Sequence, residues 1–148
     1  MKITHIFLLV KLCCVCPLFC LAQPNISGSW KGSITQNEGG YRSDYSFEMY
    51  FQQKGKKLTG RSYVYVDNIY AEMELVGEWL DNNHIIFKET KVTRAKKVDN
   101  LDWCIKNGTL KLVKTDNKWR LEGGWSGTSS FGICIPGKIF LHKVVPRV

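Results

Sequence analysis

Residues 69–79 read Ile-Tyr-Ala-Glu-Met-Glu-Leu-Val-Gly-Glu-Trp. Ile69, Ala71, Met73, Leu75, Gly77 and Trp79 fall on one parity, and Tyr70, Glu72, Glu74, Val76 and Glu78 on the other. Successive side chains of a strand point to opposite faces, so the alternation predicts a strand with one buried and one wet face. A helix would place apolar residues three and four apart, and no convincing stretch of that kind occurs.

The same period recurs on either side. Ile26, Gly28, Trp30, Gly32 and Ile34 alternate with polar residues, as do Tyr45, Phe47, Met49 and Phe51, and later Trp119, Leu121, Gly123 and Trp125. Less regular runs at 58–66, 84–92, 103–114 and 138–144 fill the gaps. Lys54-Gly55-Lys56, Asp67-Asn68, Asp81-Asn82-Asn83 and Asp116-Asn117 supply short turns between them. Two connections are longer, at 37–44 and at the Gly- and Ser-rich 124–137. Eight strands in this order describe an all-β, antiparallel, up-and-down meander, and closure into an eight-stranded barrel removes its edges. An immunoglobulin-like sandwich is the alternative, but its Greek-key crossings need more long connections.

Residues 1–22 read as a cleaved signal peptide. Lys2 and Lys11 give the positive flank, 12–21 is apolar, and Cys20-Leu21-Ala22 approximates a small-residue cleavage site. This leaves one domain, 23–148, in a secreted or periplasmic protein. Lys11 breaks the leader, and the apolar part beyond it is too short to span roughly 30 Å of hydrocarbon. No transmembrane segment is expected in the mature chain.

The leader takes Cys13, Cys14, Cys16 and Cys20 with it. Cys104 and Cys134 remain, and in an oxidising compartment they are expected to pair. Such a loop stabilises by about 3–4 kcal/mol in the chain-entropy description. His84 and His142 show no metal-ligand spacing, so neither metal nor cofactor is expected.

The chain carries a formal net charge of +8, which falls to +6 without Lys2 and Lys11. The clusters Lys54, Lys56, Lys57 and Lys91, Arg94, Lys96, Lys97 read as solvated turns and strand flanks, with no nucleic-acid motif beside them. Residues 132–139 approach a phosphate-binding loop, but Ile139 replaces its hydroxyl residue and no helix follows. Neither histidine lies in a nucleophile motif and the carboxylates are unpaired on outward faces, so an enzyme is not expected.

Gly28-Ser29-Trp30 has the G-x-W form seen in the first strand of lipocalins and avidin-like barrels. With eight meandering strands, the chain resembles the calycin group, and looks most like the small lipocalin-like domains exported by Gram-negative bacteria. The resemblance implies that Trp30 packs at the closed end of the barrel under a basic residue of the last strand. Lys143 takes that barrel-closing place if the last strand pairs with the first. The chain departs from lipocalins in lacking a T-D-Y-type motif and a helix after the last strand.

The inward parity is strongly aromatic: Trp30, Tyr45, Phe47, Phe51, Trp79, Trp119 and Trp125, with Met49 and Met73. Such side chains suit an apolar ligand pocket and equally a solid core. Their volume favours a filled or nearly filled interior. A pocket, if present, belongs at the mouth formed by the longer loops, with Trp125 on its rim. Candidate ligand-binding residues are Trp125, Trp79, Tyr45, Phe47, Met49 and Glu89. Glu89 faces inward if Ile85 and Phe87 do, and the opposite register puts Ile86 and Lys88 inside instead. The first functional reading is a barrel that binds a small apolar or amphipathic ligand. The second is a non-catalytic module with a filled barrel, meeting a protein or glycan through outward Tyr50, Tyr63, Tyr65 and Tyr70.

Overall fold

A computed structural model describes residues 23–146; the leader read at 1–22 lies outside them. The strands are β1 (Gly28–Thr35), β2 (Asp44–Lys54), β3 (Lys57–Val66), β4 (Ile69–Trp79), β5 (His84–Lys96), β6 (Ile105–Thr115), β7 (Lys118–Ser129), β8 (Gly132–Ile133) and β9 (Gly137–Lys143). Each long strand pairs antiparallel with the next, and β9 closes the circle between β7 and β1. The result is the expected closed, eight-stranded, up-and-down barrel, with two-residue β8 as an extra flap on β7. No helix of the described residues is long and apolar enough to cross a membrane.

The turns follow from local chemistry. Asp116 and Asn117 both take positive φ, 49° and 61°, as a two-residue hairpin with the twist of its flanking strands requires. Closure needs sharply bent strands, and small inward residues permit the bend. A Cβ on Gly60 would stand 1.8 Å from the Tyr50 carbonyl oxygen, so β2 and β3 meet there only because Gly60 has no side chain.

The two ends of the barrel differ. At one end the hairpin turns are short, and residues 26–27, just ahead of β1, pack against the barrel there. Ile26 is buried, its carbonyl accepts from the Trp30 indole at 2.8 Å, and its own N–H donates to Gln53 Oε1 at 3.0 Å. Lys143 pairs with Trp30 in register, and its Nζ lies 4.9 Å above the indole ring. The same ammonium donates to the carbonyls of Ile26, at 3.1 Å, and Ser27. Burial pulls the Lys143 pKa down. At the other end sit the connections 36–43, 97–104 and 130–136, which form an open mouth.

Three features depart from the sequence reading. Trp119 shares the inward parity of Leu121 but is exposed, because the β6–β7 hairpin runs past the last β9 partner, Arg120↔His142. Lys114 Nζ covers its ring at 5.3 Å. The connection read at 124–137 is largely structured: β7 continues to Ser129, turns tightly, and returns as β8. Strand β5 runs four residues beyond 92, while Trp103 and Cys104 precede β6 rather than open it.

Candidate functional site: a cavity at the open mouth

The filled part of the interior occupies the closed half. Trp30, Phe51, Leu58, Leu75, Ile85 and Leu110 are all essentially sealed from water there. Toward the mouth the packing gives way to a cavity of about 230 Å³. Its walls come from the barrel (Ile34, Tyr45, Val64, Ile69, Trp125) and from the mouth loops, which bring Leu101, Trp103, Phe131 and Ile135. The lining is mainly aromatic and aliphatic, as in small-molecule sites generally.

A charged pair floors the cavity. Strands β5 and β6 share a ladder from His84↔Lys111 to Lys88↔Asn107 and then part. The next residues along, Glu89 and Lys106, both point inward, at 0% and 3% exposure. Lys106 Nζ lies 2.9 Å from Glu89 Oε2. The Lys106 backbone N–H, beyond the end of the ladder, donates to the same oxygen at 2.7 Å. Ser62 Oγ donates to Glu89 Oε1. The ammonium also donates to the Cys104 carbonyl at 3.0 Å, contacts Met73 Sδ at 3.4 Å, and stands 5.7 Å from the Phe47 ring centre. A buried carboxylate without such partners would be costly, and here each of its oxygens is engaged.

The mouth is strapped on two sides. The Cys104–Cys134 disulfide joins the connection before β6 to the one before β9, with Cα atoms 6.3 Å apart, and both cysteines line the cavity. Asp102 fastens the same loops a second time. It accepts from the Ser130 N–H at 3.0 Å, the Trp103 N–H at 2.9 Å and Lys97 Nζ at 3.2 Å. Hydrogen bonding from Ser130 above all, aided by Lys97 and Trp103, holds its carboxyl well below the ordinary range. Across the mouth, Gln36 Nε2 donates to the Ile135 carbonyl at 3.3 Å and Asn37 N–H to Pro136 at 2.9 Å.

Of the residues singled out in the sequence, Tyr45 and Trp125 line this cavity. Both have their polar ends occupied by protein. Trp125 Nε1 donates to the Thr35 carbonyl at 2.8 Å, and the Tyr45 hydroxyl donates to Gln36 Oε1 and accepts from the Arg42 N–H at 3.1 Å. Burial pushes the Tyr45 phenol upward in pKa, so it remains a neutral donor. What they add to the lining is therefore apolar ring surface. Phe47 and Glu89 lie one layer below, against Lys106. Met49 sits opposite Trp30 in the closed half, and Trp79 ends β4 at the same end. The fold does not bring these two to the cavity.

Lys106, Trp103, Leu101 and Asp102 were not singled out from the sequence. Lys106 had a readable signal. It shares parity with Gly108, Leu110 and Leu112, and so belongs to the inner face of its strand. Trp103 and its neighbours lie in a connection with no period to read.

No protein-family model matches the chain, and no curated protein matches it significantly.

Proposed function

We propose that this protein is a lipocalin-like barrel that carries a small apolar or amphipathic molecule in its open-mouth cavity, without transforming it. The carrying observation is the asymmetry of the interior: a packed closed half beneath an apolar, aromatic cavity at the strapped end. Burying about 100 Å² of apolar ligand surface there contributes roughly 2.5 kcal/mol, enough to retain a medium-chain molecule once several such areas are covered. The disulfide fits an oxidising compartment, in line with export to the periplasm or the medium.

The direct test is calorimetric titration with 1-chlorooctane, a compact apolar probe. The wild-type protein is expected to bind it saturably. Ile69→Phe, which fills the wall, is expected to weaken binding at least about tenfold with an unchanged circular dichroism spectrum. A wild-type protein that takes up no probe would contradict the reading.

One observation favours the second reading, a surface-acting module. Tyr50, Tyr63 and Tyr65 are exposed on the outer face of β2 and β3, and the Tyr63 and Tyr70 rings stack with centres 6.0 Å apart. Exposed tyrosines of this kind suit protein or glycan contacts. Loss of partner capture on Tyr63→Ala and Tyr65→Ala, with probe uptake intact, would support it.

A further inference from the structure

The apolar surface of the mouth continues past the cavity. Phe131 lines the cavity and is still 72% exposed, and Ile133, on β8, is 89% exposed. Both belong to the β7–β8 flap, which the disulfide at Cys134 and the Ser130–Asp102 bond fix to the neighbouring loop. Tyr41, on the connection 36–43, also lines the cavity and is 46% exposed. Val98, next to the cavity residue Lys97, is 44% exposed. Exposed apolar side chains from separate connections thus stand at one entrance, and such clusters mark contact surfaces. A protein partner is met through closely packed, complementary surface. A bilayer needs no matching shape, since it takes up each apolar side chain where it stands.

Charge narrows the kind of bilayer. The chain is basic as a whole, but its mouth is not. The mouth connections and the strand ends beside them carry Arg42, Lys96, Lys97 and Lys138 against Glu38, Asp44, Asp67, Asp99 and Asp102. Arg42 is already paired with Asp67 at 2.8 Å, and Lys97 with Asp102 at 3.2 Å. Lys91 and Arg94 lie farther down β5, opposite Glu74 and Glu72. The rim therefore has no excess of cations to attract an anionic surface, and its mixed charges suit zwitterionic headgroups. We propose that the mouth docks on a zwitterionic phospholipid bilayer, with Phe131 and Ile133 entering the boundary between headgroups and acyl chains and the cavity opening onto the lipid. This goes beyond the carrier reading, and its test does not depend on that reading.

Co-sedimentation with phosphatidylcholine vesicles tests it. The wild-type protein is expected to partition onto them and to lose no more than about twofold between dilute buffer and about 1 M salt. Phe131→Ser combined with Ile133→Ser is expected to weaken partition at least about tenfold with an unchanged circular dichroism spectrum. Adding phosphatidylglycerol to the vesicles is expected to change wild-type partition by less than about threefold. A second readout needs no substitution. In bicelles holding spin-labelled phosphatidylcholine, the amide resonances of Val98, Phe131 and Ile133 are expected to broaden, while those of Gly55 and Asn117 in the closed-end turns stay sharp. Partition onto anionic vesicles alone, lost in salt, would be adhesion of a basic protein and would overturn the proposal. So would an unchanged double variant, or broadening centred on Leu80 or on Tyr63. Failure to partition onto any vesicle would overturn it as well and leave the carrier reading standing, because the 1-chlorooctane titration tests that reading separately.

Discussion

Glu89 and Lys106 face each other one position beyond the end of the β5–β6 ladder, with Oε2 and Nζ 2.9 Å apart and both side chains sealed from water. The carboxylate does two things there. It neutralises the ammonium, and it receives the Lys106 N–H past the end of the ladder. The pair thus marks where the barrel wall opens and where the packed half gives way to the cavity.

Removing one partner strands the other. Glu89→Gln and Lys106→Met are each expected to lower the unfolding free energy by about 3–5 kcal/mol. The double variant is expected to recover much of the loss, because no uncompensated charge remains. Urea denaturation of the four proteins gives the coupling directly, and additive losses would argue against the pair.

The legibility of the chain divides along the same line. The barrel wall follows from period two: Ile69 to Trp79, Tyr45 to Phe51 and Gly28 to Ile34 show their inner faces in the residue types themselves, from the closed end up to the cavity wall. Their turns are equally explicit, as with Asp116-Asn117. The mouth is different. Trp103, Leu101 and Asp102 sit in a connection whose place is set by a disulfide and by hydrogen bonds to residues about 30 positions away. Local pattern carries no trace of such contacts. Glu89 stood undecided between two registers because one charged residue among Ile85, Ile86 and Phe87 does not fix parity. Its partner Lys106, on the inward parity of the neighbouring strand, resolves it. Trp119 shows the converse limit, since parity gives the face of a strand but not whether the barrel extends that far.

The disulfide spans a separation of 30 residues, so its loss is expected to cost about 3–4 kcal/mol. Cys104→Ser combined with Cys134→Ser should lower the denaturation midpoint with the spectrum of the folded barrel retained. An unchanged midpoint in the variant and under reducing conditions would contradict the strap.

Asp102 links stability to pH. Its folded pKa lies below the unfolded value of about 3.9, so it stabilises the mouth at pH values above that range. The contribution falls away as pH drops below about 4 toward the folded pKa. Asp102→Asn is expected to flatten the acid limb of the stability curve, and thermal melts between pH 2 and 7 read this out. An identical acid limb in the variant would count against the tether.

Lys143 holds the closed end. Its contacts with Trp30 and with the Ile26 carbonyl are partly offset by burial of the ammonium. Lys143→Met is expected to cost about 1–2 kcal/mol in chemical denaturation. Probe affinity at the far mouth should be unaffected, whereas a large loss of binding would place the site elsewhere.

The claim that a ligand is held at the mouth is tested most directly by following the five tryptophan indole resonances during titration with 1-chlorooctane. The account predicts saturable shifts of Trp103 and Trp125, with Trp30, Trp79 and Trp119 unmoved. No saturable shift at Trp103 and Trp125, or shifts confined to the other three, would contradict it.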